Sequence, residues 1–350
     1  MEGFGKYLDA QLRMHPSMQV RDVIKMCYQA AFGAEHLIKD PEYALSCLRS
    51  EYDACIASGD ALYEMISDDV CRVNLSAWKS ENLPVEWLFR MFLASCTPSN
   101  NAGELFEEYL KAASRFVDSG AAGFSASEWD AQLSEYRKIG MPPVHHSSEY
   151  RMNEHPSYRI VNARFLRILP ILEKAKSLIE GDRVCVIAID GRAASGKTTL
   201  VEHLRCVLGA DVIHLDDFFV PPELRLKERF SKPGENIHHE RFREEVLPFI
   251  SISEPFEYRV FDCSTMDYSG VREIGASGIR IAEGSYSCHP LFGSYADITV
   301  FSDVSSDEQR ERIQRRNGKE MLERFLTRWI PMEEEYFEYY GIRDKADIIV

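Results

Sequence analysis

Residues 185–204 read CVIAIDGRAASGKTTLVEHL. A continuous apolar run is followed by a glycine-bounded turn, and then by apolar residues at helical spacing. An apolar run without alternation suits a strand buried on both faces, as in a parallel sheet. Gly191, Gly196, Lys197 and Thr198 fit the pattern G-x-x-x-x-G-K-[ST] in the strand–turn–helix context that the pattern requires. The glycines let the backbone wrap closely round an anion. Successive N–H groups and the start of the following helix supply positive potential. Lys197 is expected to reach the β- and γ-phosphates of a nucleotide. The Thr198 hydroxyl is expected to ligate magnesium. The nucleotide-binding stretch is thus Gly191, Arg192, Ala193, Ala194, Ser195, Gly196, Lys197, Thr198 and Thr199, with ATP or GTP as ligand.

The stretch lies past the midpoint of a 350-residue chain, so something sizeable precedes it. After Gly181 further short apolar runs follow, DVIHL, GIRIAEG, ADITVFSD and the terminal ADIIV, with helical segments between them. That alternation predicts an α/β domain with a parallel sheet over 181–350. Before it the spacing is helical. Val20, Val23, Ile24, Cys27, Ala31, Ala34 and Ile38 form one apolar stripe, and Asp40 with Pro41 has the form of a helix start. Ser125 and Glu128 have capping-box spacing, with Gly140 as the stop. Residues 141–157 are expected as a polar loop, and the helical stretch after them should kink at Pro170. The expected organisation is a mainly α-helical domain over 1–165, a linker helix over 166–180 and the α/β domain over 181–350.

A formal net charge of −15 disfavours nucleic acid and anionic membrane as partners, but not a small anion in a local basic pocket. The start of the chain lacks the apolar core of a signal peptide, and no apolar run has membrane-spanning length. Nine scattered cysteines form no framework. A cytoplasmic protein with reduced thiols is expected, with a homo-oligomer possible.

Acids at strand ends are the next candidates. DVIHL runs into Asp216 and Asp217, and GIRIAE ends on Glu283. Carboxyl ends of parallel strands share one sheet edge, so Asp216 and Glu283 can converge on the phosphate loop. Asp216 is the candidate base for a substrate hydroxyl and, with Glu283 and Thr198, a candidate magnesium ligand. Arg310, Arg312, Arg315 and Arg316 crowd one later helix, where arginines can neutralise charge in phosphoryl transfer.

The order GRAASGKTT, HLDDFF, ENIHHERF, FDCSTMDY, IRIAEGSY, an arginine-rich helix and ADIIV resembles the uridine kinase and phosphoribulokinase family of P-loop kinases over about 181–350. The resemblance implies transfer of the ATP γ-phosphate to a hydroxyl of a small molecule, with magnesium. It implies Asp216 as base and metal neighbour, Glu283 as the metal-side acid, and Arg315 and Arg316 as lid arginines. The departures concern the acceptor. Where the family carries an acid that grips ribose, this chain reads Asn236-Ile237-His238-His239, and Phe261 stands where a tyrosine faces the base. A nucleoside, a sugar, a polyol or a pantothenate-like acid are the acceptors left open. A nucleotide-binding switch acting on the helical domain is the alternative of a different class.

Two features of the first half belong to no such pattern. Glu35 and His36 in GAEHL lie on an expected helix, where packing is the plain reading. His145, His146, Glu149, Glu154 and His155 crowd one segment, where a solvated loop competes with zinc.

Overall fold

The computed structural model describes residues 2–34, 38, 40–96, 100–179 and 183–350. Contacts divide the chain into two compact units, Met1–Leu166 and Arg167–Val350. Glu35, His36 and Gly181 lie outside the described residues.

The first unit runs α1 (Glu2–Met14), α2 (Val20–Phe32), α3 (Pro41–Ala54), β1 (Tyr63–Met65), β2 (Val70–Asn74), α4 (Leu75–Ser80), α5 (Val85–Ala94), α6 (Ala102–Asp118), α7 (Ala126–Lys138), α8 (Ser148–Glu154) and β3 (Tyr158–Asn162). α2 buries the expected stripe from Val20 to Ala31. It stops short of Ala34 and Ile38 because Gly33 takes a φ of 55°. Asp40 accepts from the backbone N–H groups of Glu42 and Tyr43, and Ser125 with Glu128 closes a capping box on α7. These caps contribute about 1 kcal/mol each.

Helices are not the whole of this unit. β1, β2 and β3 form an antiparallel sheet in that order, with Val70 opposite Asn162 and Asn74 opposite Tyr158. Residues 158–162, expected at the head of a helix, are its third strand. Ile160 and Val161 are β-branched and buried there, a good fit to a pleated surface. The segment 141–157 is not a solvated loop either. It contains α8, and its start is anchored where Tyr136 donates to the Pro142 carbonyl at 2.6 Å.

The second unit runs α9 (Leu169–Ala175), β4 (Cys185–Gly191), α10 (Lys197–Leu208), β5 (Asp211–His214), α11 (Lys227–Phe230), α12 (His239–Glu245), β6 (Phe256–Asp262), β7 (Asp267–Ile274), β8 (Ile279–Glu283), β9 (Ile298–Ser302), α13 (Ser306–Arg324), α14 (Ile330–Tyr340), α15 (Ile342–Lys345) and β10 (Ile348–Ile349). Pro170 sits in the first turn of α9 and so begins that helix rather than kinking one. α9 buries Leu169, Ile171, Leu172 and Ala175 within this unit, so the expected linker is part of its packing.

The five apolar runs read from the sequence are the five strands of one parallel sheet, ordered β10-β9-β4-β8-β5. β4 is buried at every position. Truncating Ile187 at its centre would cost about 2–5 kcal/mol. The chain leaves β4 for the edge strand β5, returns to β8 beside β4, then crosses to β9 on the other side. Ligands bind at the carboxyl ends where strand order reverses in this way. A hairpin, β6 with β7, lies outside this sheet. Its strand β7 is exposed over most of its length, so the hairpin leaves no alternating apolar pattern in the sequence.

Candidate functional site

β4 ends in Asp190 and Gly191, and the chain turns at once into the loop before α10. Only glycine fits at 191. Its φ is 138°, and a Cβ there would overlap the Ser302 carbonyl of neighbouring β9. Gly196 has a φ of 94° and Ala194 one of 57°, so the loop bends twice through left-handed conformation before the helix begins at Lys197. Successive residues of alternating hand turn their N–H groups to one side, as an anion cradle requires.

The cradle is clamped from outside. Gln309 donates to the Ala193 carbonyl at 3.0 Å, and Arg312 to the Ala194 carbonyl at 3.0 Å. Glu333 of α14 accepts from the Ala193 N–H at 3.0 Å and from Ser285 at 2.7 Å. Arg192 pairs with Glu334 at 2.6 Å and with Asp303. Beneath the loop, the fully buried Asp190 carboxylate accepts from the N–H groups of Gly191, Tyr286 and Cys288 and from the Tyr336 hydroxyl, at 2.8 to 3.1 Å. Burial nevertheless pushes its pKa up against those donors. Lys197 folds back onto the Gly191 and Arg192 carbonyls at 2.6 and 2.9 Å. Thr198 and Thr199 are exposed in the first turn of α10, and Ser195 is buried.

The acids stand at the same edge. Asp216 lies in a short 3-10 turn after β5. As a residue it is exposed, and only its carboxyl end lies against the protein. The protein crowded against its carboxyl and the Glu283 charge push its pKa up, while Lys197 and His214 oppose the shift. Glu283 closes β8 opposite His214 in the register, and His214 Nδ1 lies 2.6 Å from it. Asp217 is used otherwise. It accepts from the Tyr258 hydroxyl at 3.0 Å and pairs with Arg272 at 2.9 Å, tying the turn to the β6–β7 hairpin.

The arginines divide. Arg312 touches the loop. Arg315 and Arg316 are exposed one turn farther along α13, Arg316 against Asn317 at 2.8 Å. α13 bends beyond them at Gly318, whose φ is 81°. Arg167 was missed. A Cβ added at Gly196 would lie 3.2 Å from its guanidinium and 3.9 Å from that of Arg312. Burial and then Arg312 hold the Arg167 pKa down, as two cations packed at one loop should. The sequence could have offered Asp190, next to the motif at the end of an apolar strand, and His214 in DVIHL. Nothing in the sequence points to Arg167 or Glu333.

An open cleft of about 540 Å³ adjoins the loop, lined by Arg192, the 303–306 segment, Ile349 and Val350. On the acceptor side, Ile237 is fully buried and bridges Phe219. The His238 ring caps α12 by accepting from the Arg241 N–H at 3.4 Å. Phe261 packs edge-on against Tyr268. Ile237, His238 and Phe261 are therefore occupied in packing and helix capping. Thr198, Asp216 and Glu283 offer only oxygen donors, which fits magnesium held by few protein groups together with phosphate oxygens. Among the described residues no cluster of three or more His, Cys, Asp or Glu could hold a metal by itself. The crowded histidines of the first unit are dispersed. His146 is buried against Asp22, while Glu154 meets His15 at 2.6 Å and Glu149 meets Gln19 at 2.7 Å.

No family model matches the chain. No curated protein matches it. Solved structures do. A possible uridine kinase from Bacillus stearothermophilus is similar at 21% identity and a TM-score of 0.39, over 52% of this chain and 99% of that one. A putative fructose transport system kinase from Silicibacter sp. TM1040 is similar at 20% identity and a TM-score of 0.42, over 53% of this chain and 98% of that one. Both likenesses span about half of this chain and nearly the whole of the other. No helix among the described residues is long and apolar enough to cross a membrane.

Proposed function

We propose that the second unit is an ATP-dependent kinase for a hydroxyl group of a small molecule. The observation that carries the reading is that the phosphate loop, Glu283 and Asp216 stand at the carboxyl ends of the neighbouring strands β4, β8 and β5, where His214 lies 2.6 Å from Glu283. A phosphate loop alone binds nucleotide. A carboxylate of raised pKa beside it adds a base for an acceptor.

In this reading the loop N–H groups and Lys197 bind the β- and γ-phosphates. Lys197 exchanges two backbone carbonyls for phosphate oxygens, so its present contacts hold it ready beside the cradle. The cleft beside Arg192 takes the nucleoside part of ATP. Arg167 and Arg312 offset phosphate charge, and Arg315 and Arg316 meet whatever extends past the loop. Thr198, Asp216 and Glu283 would hold magnesium, which supplies charge neutralisation between phosphate oxygens. His214 fixes the Glu283 carboxylate. Asp216 accepts the acceptor's hydroxyl proton as the oxygen bonds to the γ-phosphorus and the bond to ADP breaks. Its raised pKa makes it a stronger base than an ordinary aspartate. The occupied side chains of Ile237, His238 and Phe261 speak against a nucleoside and leave a sugar, polyol or pantothenate-like acid as acceptor.

The test is ADP release across a panel of sugars, polyols, nucleosides and pantothenate-like acids, with the product checked as a phosphomonoester. Release that depends on one acceptor class supports the kinase. Release at the same rate without any acceptor points to a nucleotide-driven switch instead.

A further inference from the structure

The first unit buries a second collection of charge, one with no part in the phosphate loop. Arg72 on β2 is 6% exposed and Tyr7 on α1 is 5% exposed. The Arg72 guanidinium lies 4.4 Å from the Tyr158 ring centroid and 5.3 Å from that of Tyr7. Its terminal nitrogens donate to Gln11 at 3.3 Å and to Gln29 at 3.0 Å, both neutral amides. Among the described residues it has no ion pair, and its Nε and the Tyr7 hydroxyl are buried without a hydrogen-bond partner. Glu64 is the acid whose charge acts on Arg72, but that carboxylate is reached through Gln11, from which it accepts at 2.8 Å, and forms no ion pair with the guanidinium. A buried guanidinium without a direct carboxylate partner and with an idle N–H is costly, and a bound anion relieves the cost.

A second cation stands beside it. Lys25 of α2 forms no ion pair with a described residue. Burial, and next the Arg72 charge, hold its pKa down to about 8. Arg21 and Arg151, both exposed, act on Lys25 in the same direction. The one carboxylate near Lys25, Asp22, is already engaged. Its oxygens accept from the Ser147 N–H at 2.9 Å, the Ser147 hydroxyl at 2.7 Å and His146 Nδ1 at 3.0 Å. An ionised carboxylate can only accept, so His146 carries its proton on Nδ1. Its Nε2 then accepts from the Tyr158 hydroxyl at 2.7 Å. His146 senses Lys25 and Arg72 as well, and burial keeps it neutral, with its pKa held down to about 4. Lys25 lies on α2 one turn from Asp22 and one turn from Gln29, the partners of His146 and Arg72, so Lys25, Arg72, His146 and Tyr158 gather on one face of that helix. Only Lys25 and Tyr158 among them are half-buried, and they mark the side toward solvent.

We propose that the first unit holds a binding site for a small phosphate-bearing anion between Lys25 and Arg72, with Tyr158 positioned beside it by the Asp22–His146 pair. The chain as a whole carries −15, so two neighbouring cations that form no ion pair with a described residue are unlike its surface in general. The site serves a ligand or substrate of its own, separate from the nucleotide.

Acetylation of the full chain near pH 7, where most of Lys25 is protonated even without an anion, mapped residue by residue by mass spectrometry, tests this. The probe is inorganic phosphate, compared with chloride at equal ionic strength. An anion at the site makes Lys25 hold its proton more tightly, and a hold about tenfold tighter leaves about tenfold less reactive amine. We expect phosphate to slow labelling of Lys25 at least about tenfold by that argument. Exposed Lys111 should be unaffected, and Lys197 reports separately on the phosphate loop. In Arg72→Gln the protection of Lys25 should vanish while that of Lys197 persists. Equal labelling of Lys25 with and without phosphate in the native chain, or equal protection by chloride, overturns the proposal whether or not Arg72→Gln folds. Protection of Lys25 that survives in a folded Arg72→Gln overturns it too.

Discussion

The two proposed anion sites are built in opposite ways. In the second, most of the cradle is one run of nine residues, 191–199, and most of its positive potential comes from backbone N–H groups. In the first, the cationic cluster draws on Tyr7 of α1, Lys25 of α2, Arg72 of β2 and Tyr158 of β3, and its potential comes from side chains. A backbone cradle needs glycines at fixed steps, so it leaves a mark along the chain. A side-chain cluster needs only that distant segments meet, so it leaves none.

The comparison can be broken first at the acids. Asp216→Asn should lower turnover by about 10²–10⁴, the usual cost of losing a general base, with little loss of nucleotide affinity. Asp217→Asn should act on the fold. It weakens the links to Arg272 and Tyr258 and should cost about 1–3 kcal/mol of stability in a denaturant titration. Equal kinetic loss in both variants would mean that the two acids are not divided in this way.

Next in size is the backbone of the cradle. Gly191→Ala forces a Cβ onto the Ser302 carbonyl at a φ of 138°. Strain of this kind costs about 1–3 kcal/mol before the clash is counted. The unfolding free energy read in a denaturant titration should fall by that amount or more. A variant that unfolds like the native chain would show that the loop is not held as described.

The first unit has its own counterpart. Asp22→Asn removes the charge that orients His146 and Ser147 and should cost about 1–3 kcal/mol. Burial opposes ionisation of Asp22, but hydrogen bonds from His146 and Ser147 prevail and hold its pKa below the usual 3.8. Its contribution is therefore present above 3.8 and is lost as pH falls through the lowered value. Acid titration of the native chain and of Asp22→Asn should converge in that range and diverge above it.

The smallest effect has the opposite sign. Asp216 has a raised pKa, so the folded chain binds that proton more tightly than the unfolded one. Stability falls as pH rises from 3.8 through the raised value, and a penalty persists at neutral pH. Asp216→Asn should thus melt slightly higher than the native chain at neutral pH while losing activity. A lower melting temperature would contradict the repulsion between Asp216 and Glu283.

How much was legible follows the same division. All five parallel strands could be read because strands buried on both faces are continuous apolar runs. The start of α3 and the capping box of α7 were legible because caps are local chemistry. β3 was not, since Ile160 and Val161 run straight into the helical spacing of residues 163–175, and only pairing with β2 sets them apart. Arg312 stood in a visible arginine cluster, but which member meets the loop depends on how α13 packs. Arg167 and Glu333 come from segments 24 residues before and 142 after Gly191, by their numbering, and no local pattern joins them to it. His146 was singled out as a possible metal ligand, whereas its partners Asp22 and Tyr158 make it a neutral link between a carboxylate and a phenol.

The central claim is that residues 191–198 form a nucleotide site completed by Lys197. Calorimetric titration of magnesium and ATP into the native chain and into Lys197→Ala tests it most directly. The native chain should bind one equivalent. The variant should bind about 10²–10³-fold more weakly, the scale of losing one strong electrostatic donor to phosphate. Equal affinity in the two, or no binding to the native chain, would contradict the account.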